Sequence, residues 1–408
     1  MAMYLTNESA LISIADAIRT KNVETSPYLF PEVYISKINA IKSATGIGAS
    51  AKQLLEGNVT ELISSRSSIS PYAFMGCQQL TSINLPNISI ISDGTFAYCT
   101  SLTDVSLPSC TTIGSRAFTY CTSLIAVSFP SCTTIGSSAF YNCTSLIAVS
   151  FPVCTTIGKS AFAYCTSLTD VSFPSCTTIE SNAFEYCTSL IAVSFPSCTT
   201  IGSNAFSNCT SLTAVSFPVC ENIRNLAFED CSALTTVSFP SCTTIGTYVF
   251  CGCKSLTAVN FPVCTTIGSR AFSNCTSLTS VSFPSCTTTR SSAFDNCKSL
   301  TAVSFPVCEN IGAYTFTYCT SLTTVSLPAC TTIENGAFSA CYHLLSLYIL
   351  GSSFVTLSNT YAFAATPIST YTTSTGGVRG TIYVPASMLD SYKTMTNWTT
   401  YSSRMVGV

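Results

Sequence analysis

Cysteine recurs in this chain at a spacing that raises the question of its chemistry. The 408 residues include 25 cysteines, and one falls at every eleventh residue from Cys99 to Cys341. Thiols at fixed intervals could form disulfides, bind zinc or fill a core. Zinc sites typically use C-x-x-C pairs, and this sequence contains none, since Cys251-Gly-Cys253 is an isolated C-x-C. The spacing therefore disfavours metal binding.

Stacking geometry separates the two remaining alternatives for the cysteines. Successive cysteines of one column in a parallel repeat would lie about 4.8 Å apart with parallel Cβ vectors, whereas a disulfide needs converging Cβ atoms about 3.8 Å apart. We therefore expect buried free thiols, with a bridge inside a coil as the alternative. Ile88 occupies one cysteine slot, as expected of a core position. Cys251 lies outside the eleven-residue spacing, at a variable position, and is the candidate reactive thiol.

Other residues that could carry catalysis are sparse. A Ser/His/Asp or Cys/His arrangement would need His343, the one histidine, which is more typical of a rim residue. Asp104 and Asp170 share a repeat column but lie three coils apart, about 14 Å, which is too far for a carboxylate pair. Neither a dinucleotide-binding nor a phosphate-binding glycine motif is present. The sequence predicts a protein that is not an enzyme and has no cofactor.

Composition restricts the partners. Charged residues make up 8% of the chain and the formal net charge is −2, against roughly 25% charged residues in ordinary globular proteins. No basic block is available to bind nucleic acid, and no apolar run is long enough to predict membrane insertion. The first 21 residues lack the pattern of a secretory signal, which leaves two alternatives for a surface protein, a signal outside this sequence or another route of export.

A 22-residue unit explains the cysteine spacing. One copy reads "CTSLIAVSFPSCTTIGSSAFYN" at 121–142. In the preceding copy Leu102, Val105, Leu107 and Cys110 fit the pattern L-x-x-L-x-L-x-x-N/C of a leucine-rich repeat. A second inward side chain, an isoleucine, and then an Ala-Phe pair follow in most copies. We predict an α/β repeat fold, a leucine-rich-repeat solenoid with a parallel β-sheet and short helical turns on the other side, with about 12–13 coils over residues 57–350.

Departures from the repeat are few. Thr289 replaces the second-side isoleucine, and Thr315 replaces the alanine of the Ala-Phe pair. The segment "ENIRNL" at 221–226 takes the place of a unit that usually begins "TTIG".

The flanking regions are not repetitive. Residues 1–56 predict a small N-terminal helical module with two amphipathic helices, 8–21 and 32–42. Residues 351–408 predict a C-terminal cap that contains a strand "TIYV", a short helix "ASMLDSYKTM" and a last strand in "RMVGV". A cap is expected because the open end of a solenoid must be covered.

The repeat resembles the bacterial leucine-rich repeats called BspA-like, whose signature is A-F-x-x-C-x-S-L-x-x-V-x-L/F-P. It is met by "AFTYCTSLIAVSFP" at 117–130 and recurs at every coil. The opening "LISIADAIRTK" at 11–21 and "FPEVYISKINAIK" at 30–42 resemble a module of phage and prophage tail proteins from gut Firmicutes. These resemblances imply a surface-binding protein whose N-terminal helices dock to a larger assembly.

Variation in the repeat is concentrated along the predicted helical edge, on both sides of each Ala-Phe pair. Tyrosine gives rigid amphipathic contacts, so we predict a binding edge there, with a merely tolerant loop as the alternative. Its residues are Tyr120, Tyr141, Tyr164, Tyr186, Tyr248, Tyr314 and Tyr318, with Arg116, Lys159, Arg224 and Arg270.

Four functions are compatible with such a rod. The leading hypothesis is adhesion, by binding a protein or glycan at the bacterial surface or after secretion. The second is a receptor binder on a phage particle. Binding to ice or another crystal through the Thr-Thr columns is a minor alternative, and near-identical coils would also suit a structural spacer.

Overall fold

The computed structural model describes residues 2–4, 61–63, 69–369 and 379–408. The chain forms two compact units, residues 1–195 and 196–408. Both consist of short parallel strands stacked coil upon coil, which confirms the predicted leucine-rich-repeat solenoid. The helices expected at 8–21 and 32–42 lie outside the described residues. No helix in the described ranges is long and apolar enough to cross a membrane.

Two sets of strands recur in unit 1, one pair per coil. The front ladder holds three-residue strands: Ala2–Tyr4, Glu61–Ile63, Ser82–Asn84, Asp104–Ser106, Ala126–Ser128, Ala148–Ser150, Asp170–Ser172 and Ala192–Ser194. The side ladder holds two-residue strands: Ile90–Ile91, Thr112–Ile113, Thr134–Ile135, Thr156–Ile157 and Thr178–Ile179. Val149 lies opposite Val127 and Val171, a register of one full repeat. Identical side chains therefore stack on one another.

Unit 2 repeats the arrangement. Its front ladder comprises Ala214–Ser216, Thr236–Ser238, Ala258–Asn260, Ser280–Ser282, Ala302–Ser304, Thr324–Ser326, Ser346–Tyr348, Thr381–Val384 and Met405–Gly407. Its side ladder comprises Thr200–Ile201, Asn222–Ile223, Thr244–Ile245, Thr266–Ile267, Thr288–Thr289, Asn310–Ile311, Thr332–Ile333 and Thr356–Leu357. The segments "TIYV" and "RMVGV" thus supply the last two rungs of the front ladder, in register with Leu347 through Ile382 and Met405.

The third side of each coil is a hydrogen-bonded turn rather than a short helix. Its N–H groups alternate in direction. Ala117 and Thr119 donate to the carbonyls three residues back, whereas Phe118 and Tyr120 donate to the next coil at 2.7 and 2.8 Å. Because every second N–H bonds to the next coil, an α-helical pattern cannot form. We call this side, with its varied side chains, the turn edge.

Stacked phenylalanines fill the core. In unit 1 the rings of Phe118, Phe140 and Phe162 stack at 5.2 Å between centroids, and a second column, Phe129, Phe151 and Phe173, stacks at the same spacing. The two columns meet edge to face, as Phe151 and Phe162 do at 6.0 Å. Both arrangements are favourable for aromatic rings, so the core is continuous along the coils of the unit.

The cysteines are free, and 24 of the 25 are buried. One column donates its thiols to backbone carbonyls of the preceding coil, as Cys143 does to Phe118 at 3.1 Å. The other donates within its own coil, as Cys154 does to Thr156 at 3.3 Å. Burial raises the pKa of most of these thiols, to about 12 for Cys165. They act as small core residues with a satisfied donor.

Aromatic side chains close the C-terminal end of unit 2. The helix Leu389–Thr394 follows a 3₁₀ turn at Ala386–Met388, and a second 3₁₀ segment covers Thr399–Arg404. Tyr392 and Trp398 are fully buried. Both bond to one residue, because the indole N–H donates to the Val355 carbonyl at 2.6 Å and the Val355 N–H donates to the Tyr392 hydroxyl at 3.0 Å. This segment therefore caps the last coil.

Two departures from the repeat, Thr289 and Thr315, are coupled in the core of unit 2. Both threonines are buried, and their hydroxyl oxygens lie 3.3 Å apart. Gly312 bonds to both, since its N–H donates to Thr289 at 3.2 Å and its carbonyl accepts from Thr315 at 2.7 Å. The two substitutions therefore form one polar cluster in an otherwise apolar column.

Most other coils have isoleucine at the position of Thr289 and alanine at the position of Thr315. We expect these two residues to be tolerated here only when both are introduced together. Thr289→Ile alone overfills the site, and Thr315→Ala alone leaves a gap and removes a hydroxyl partner. Each should lower the free energy of unfolding by about 1–2 kcal/mol. The double variant restores the combination used in most coils and should lie close to the parent protein. Urea denaturation of the four proteins measures the coupling, and additive losses would contradict it.

Candidate binding edge

Two left-handed residues shape the turn edge of each coil, four positions apart. Arg116 and Tyr120 have φ of 57° and 58°, and the equivalent Ser138 and Asn142 in the next coil have φ of 57°. Left-handed backbone is unfavourable for most side chains but is tolerated best by glycine, asparagine and aspartate. That preference explains the asparagines at 142, 208, 274 and 296, where the tyrosines at other coils are exceptions.

The tyrosines of unit 1 form one continuous row along this edge. Tyr98 stacks on Tyr120 at 4.9 Å between ring centroids, with the rings 10° apart. Tyr141 follows at 5.7 Å and Tyr164 at a further 5.4 Å, both tilted. Tyr186 stacks on Tyr164 at 4.8 Å. Four of these five residues were predicted from the sequence. Tyr98 was not, although it stands one repeat before Tyr120.

This tyrosine row, Tyr98 to Tyr186, is partly exposed along its whole length. In its stacked pairs the ring faces cover one another, and Tyr186 is 37% exposed while the others are partly buried. Burial raises the pKa of Tyr141, with further contributions from the neighbouring phenols. Burial and then Glu185 raise that of Tyr164. The phenols of Tyr141 and Tyr164 therefore stay neutral and able to donate hydrogen bonds at physiological pH.

The three predicted edge tyrosines of unit 2 do not form a row in the part of the chain that the structure describes. Tyr248 lies under the guanidinium of Arg270 at 5.6 Å, a cation–π contact. Tyr314 accepts a hydrogen bond from the Asn335 side chain at 2.7 Å. Tyr318 is half-exposed, and no ring contact of it is found among the described residues. The structure thus brings together only part of the predicted edge.

Arg224, a further basic residue of the predicted edge, is exposed directly after the side-ladder strand Asn222–Ile223 of unit 2, and the other two lie in unit 1. Arg116 is partly buried at a left-handed position. Lys159 is exposed, and its backbone N–H donates to the Glu180 carboxylate at 2.8 Å. Neither side chain contacts the tyrosine row through any bond found among the described residues. Both remain candidates for contact with a ligand.

Comparison with known proteins decides the family. The sequence profile of the BspA type leucine rich repeat region (6 copies) matches residues 67–191, 155–264 and 243–370. The chain belongs to the BspA-type leucine-rich repeat family. This confirms the resemblance seen in the repeat, whereas the likeness of the N-terminal segment to phage tail proteins stays a prediction. A search of the curated proteins found no significant match.

Solved structures of bacterial leucine-rich repeat proteins are similar to this BspA-type chain. A leucine-rich repeat protein from Bacteroides ovatus is 24% identical and matches with a TM-score of 0.60, over 89% of this chain and 87% of that one. A leucine rich cell surface protein from Faecalibacterium prausnitzii is 26% identical, with a TM-score of 0.41, over 79% of this chain and 87% of that one. The first likeness supports the fold.

His343 has a structural role in the BspA-type repeat. Its exposed ring bonds through Nδ1 to the carbonyl of Thr320 in the preceding coil at 2.6 Å. Thr320 makes the same kind of contact one coil earlier, since its hydroxyl donates to Lys298 at 3.3 Å. The histidine therefore extends a row of contacts between coils. Within the described ranges no three His, Cys, Asp or Glu side chains cluster to hold a metal ion.

The threonine columns are engaged in the same way. The first threonine of a Thr-Thr pair donates its hydroxyl to a carbonyl of the preceding coil, at 3.0 Å from Thr111 and 3.2 Å from Thr133 and Thr265. These donors stabilise the stacking of the coils. They are less available to match a crystal lattice, which disfavours the ice-binding alternative.

Cys251 is the one cysteine that is partly exposed. Burial, followed by the negative charge of Glu229, raises its pKa, and a hydrogen bond with Asn274 opposes the shift. A raised pKa reduces the fraction of thiolate, the reactive form. Cys251 is thus accessible but weakly activated, and its reactivity stays a prediction.

We expect the native protein to be alkylated at one of its 25 thiols, Cys251. The alkylation rate should keep rising with pH beyond the ordinary thiol pKa of about 8.5, because burial and the charge of Glu229 raise the pKa of Cys251. Mass spectrometry after iodoacetamide treatment from pH 7 to 10 measures site and rate. Cys251→Ser is the control and should label only after denaturation. A rate that levels off below pH 8 would contradict the raised pKa.

Proposed function

We propose that this protein is a non-enzymatic adhesin that binds a protein or glycan through the tyrosine row of unit 1. The observation that carries the proposal is the continuity of the row over five tyrosines, from Tyr98 to Tyr186. Tyrosine is enriched in binding surfaces because it combines a large apolar ring, a hydroxyl and little conformational freedom. Stacking reduces that freedom further, so binding would cost little additional ordering.

The chemistry of the row suits a ligand rich in hydrogen-bond acceptors. Its outer surface consists of ring edges, which carry partial positive charge, and of neutral hydroxyl donors. Glu185 and Arg116 supply the charges closest along the chain. Carbonyl and hydroxyl oxygens of an extended peptide or glycan would meet both features. A non-enzymatic role is supported by the structural role of His343 and by the repeat scaffold of the family.

Replacing tyrosines by asparagine tests the row without disturbing the backbone. Asparagine already occupies the same left-handed position at Asn142 and Asn208. Tyr120→Asn and Tyr164→Asn should each weaken binding about tenfold or more, the effect expected of an aromatic anchor. Binding is measured by biolayer interferometry against immobilised mucins and extracellular matrix proteins.

Tyr318→Asn is the matched control, because Tyr318 occupies the same left-handed repeat position in unit 2, is half-exposed and has no ring contact among the described residues. It should leave binding to those surfaces unchanged. Equal losses in all three variants, with unchanged melting temperatures, would show that the row has no special role.

We further propose that the protein is displayed on the bacterial surface. Immunogold labelling of the producing bacterium, before and after prophage induction, tests this. We expect label on the cell envelope in both conditions. Label confined to released particles would contradict surface display and support the alternative of a phage receptor binder, for which the sequence of residues 11–42 is the motivation.

A further inference from the structure

A polar hollow of about 440 Å³ lies on the side ladder of unit 2, where the sequence departs from the repeat. Three successive coils line it with hydroxyls, amides and one cation. None of the side chains lining it is acidic. The lining residues that matter are Thr200, Ser203, Asn222, Arg224, Asn225 and Gly246.

Glycine keeps the hollow open beside Arg224. The repeat places glycine at this position in both neighbouring coils, Gly202 and Gly246. A Cβ added at Gly246 would come within 2.8 Å of the Asn225 side-chain oxygen and 2.9 Å of the Arg224 carbonyl carbon. A larger residue therefore cannot fit there without a shift of the coil. The Arg224 side chain is exposed, and the equivalent positions in the two adjacent coils are glycines without a side chain.

The chain shows elsewhere what this position can bind. Glu180 and Glu334 occupy the column of Arg224, and all three N–H groups donate at 3.0 Å to the isoleucine carbonyl of the preceding coil. The Glu180 carboxylate accepts the N–H of Lys159 at 2.8 Å, and the Glu334 carboxylate accepts that of Ala313 at 2.9 Å. In both coils an internal carboxylate caps the amide that lies 21 residues earlier.

Arginine reverses the charge at this position in the hollow. The amide 21 residues before Arg224 belongs to Ser203, and among the described residues it has no acceptor. Arg224 likewise has no ion pair there. A cation and an unpaired N–H thus line one open space, in which two other coils place the carboxylate oxygen of Glu180 or Glu334. Guanidinium and amide donors together are a strong arrangement for binding a carboxylate.

We propose that the hollow binds the carboxylate of an acidic sugar, with Arg224 and the Ser203 N–H as its donors. The remaining lining consists of the amides of Asn222 and Asn225 and of threonine hydroxyls, which pair readily with sugar hydroxyls. This lining favours a uronic acid over an acidic peptide, whose side chains would leave those polar groups unpaired. The site lies in unit 2 and does not depend on the tyrosine row of unit 1.

Trigalacturonate, with neutral galactotriose as the comparison, tests the proposal by titration calorimetry on the full chain. Arg224→Gln should weaken trigalacturonate binding about tenfold or more, the loss expected for one charge-assisted contact. Arg290→Gln is the matched control. Arg290 is also exposed and flanked by glycines in the same column, and the Ser269 N–H there likewise has no acceptor among the described residues. Thr288 and Ser291 replace the two asparagines that pair with the sugar hydroxyls in the proposed site. It should leave binding unchanged.

Arg224→Glu gives a second readout that does not depend on a loss of folding. The new carboxylate should cap the Ser203 N–H as Glu180 caps Lys159, which abolishes binding at an unchanged melting temperature. Hydrogen exchange at Ser203 should slow in this variant without ligand, and in the parent protein only with trigalacturonate. Equal weakening by Arg224→Gln and Arg290→Gln would overturn the site. Equal binding of a triglutamate peptide would overturn the assignment to a sugar.

Discussion

Hydrogen bonding between coils in a register of 22 residues is the constraint on which the rest of the structure depends. The front ladder, the side ladder and the alternate N–H groups of the turn edge all bond to the neighbouring coil. Inward side chains must therefore stack on copies of themselves at the spacing of parallel strands, about 4.8 Å. Phenylalanine rings stack face to face at 5.2 Å, and small thiols fill the corners. The near-identity of the repeats follows from this fixed spacing.

The same constraint determines at which surface positions the residue type can differ from coil to coil. Two positions in each turn must be left-handed, so their side chains leave the coil in one direction at every repeat. Where these residues are asparagine, the side chain tolerates the left-handed backbone well. Where tyrosines fall at this edge in consecutive coils, as at Tyr98 and Tyr120, the spacing places the rings in contact. A recognition surface can thus arise from a choice of residues on an unchanged backbone.

The effect of each departure from the repeat can be assigned to its side chain, because the backbone around it is the same as in the other coils. Thr289 and Thr315 are single exceptions in the sequence, but they share one polar cluster around Gly312. Arg224 keeps the backbone hydrogen bond of Glu180 and Glu334, so only the charge of the side chain differs. Each exception can therefore be compared directly with the residues that replace it in other coils.

The sequence by itself determined the fold, the family and the inward columns. The 22-residue period and the spacing of Leu102, Val105 and Leu107 are sufficient for that, because strand periodicity and burial are local properties that recur in every copy. It also predicted buried thiols, since a column of parallel Cβ atoms does not suit disulfides. The strands at Thr381–Val384 and Met405–Gly407 could be recognised individually, but not as rungs of the front ladder.

Only the tertiary structure decided which residues meet across coils. Contacts between residues 21 to 26 positions apart depend on the direction of each side chain. That direction at the turn edge is set by left-handed backbone, which the sequence does not display for tyrosine or arginine. The row from Tyr98 to Tyr186, the Thr289–Thr315 pair and the hollow at Arg224 all arise from contacts between neighbouring coils. The sequence contained the residues of each, and the stacking of coils brought them together.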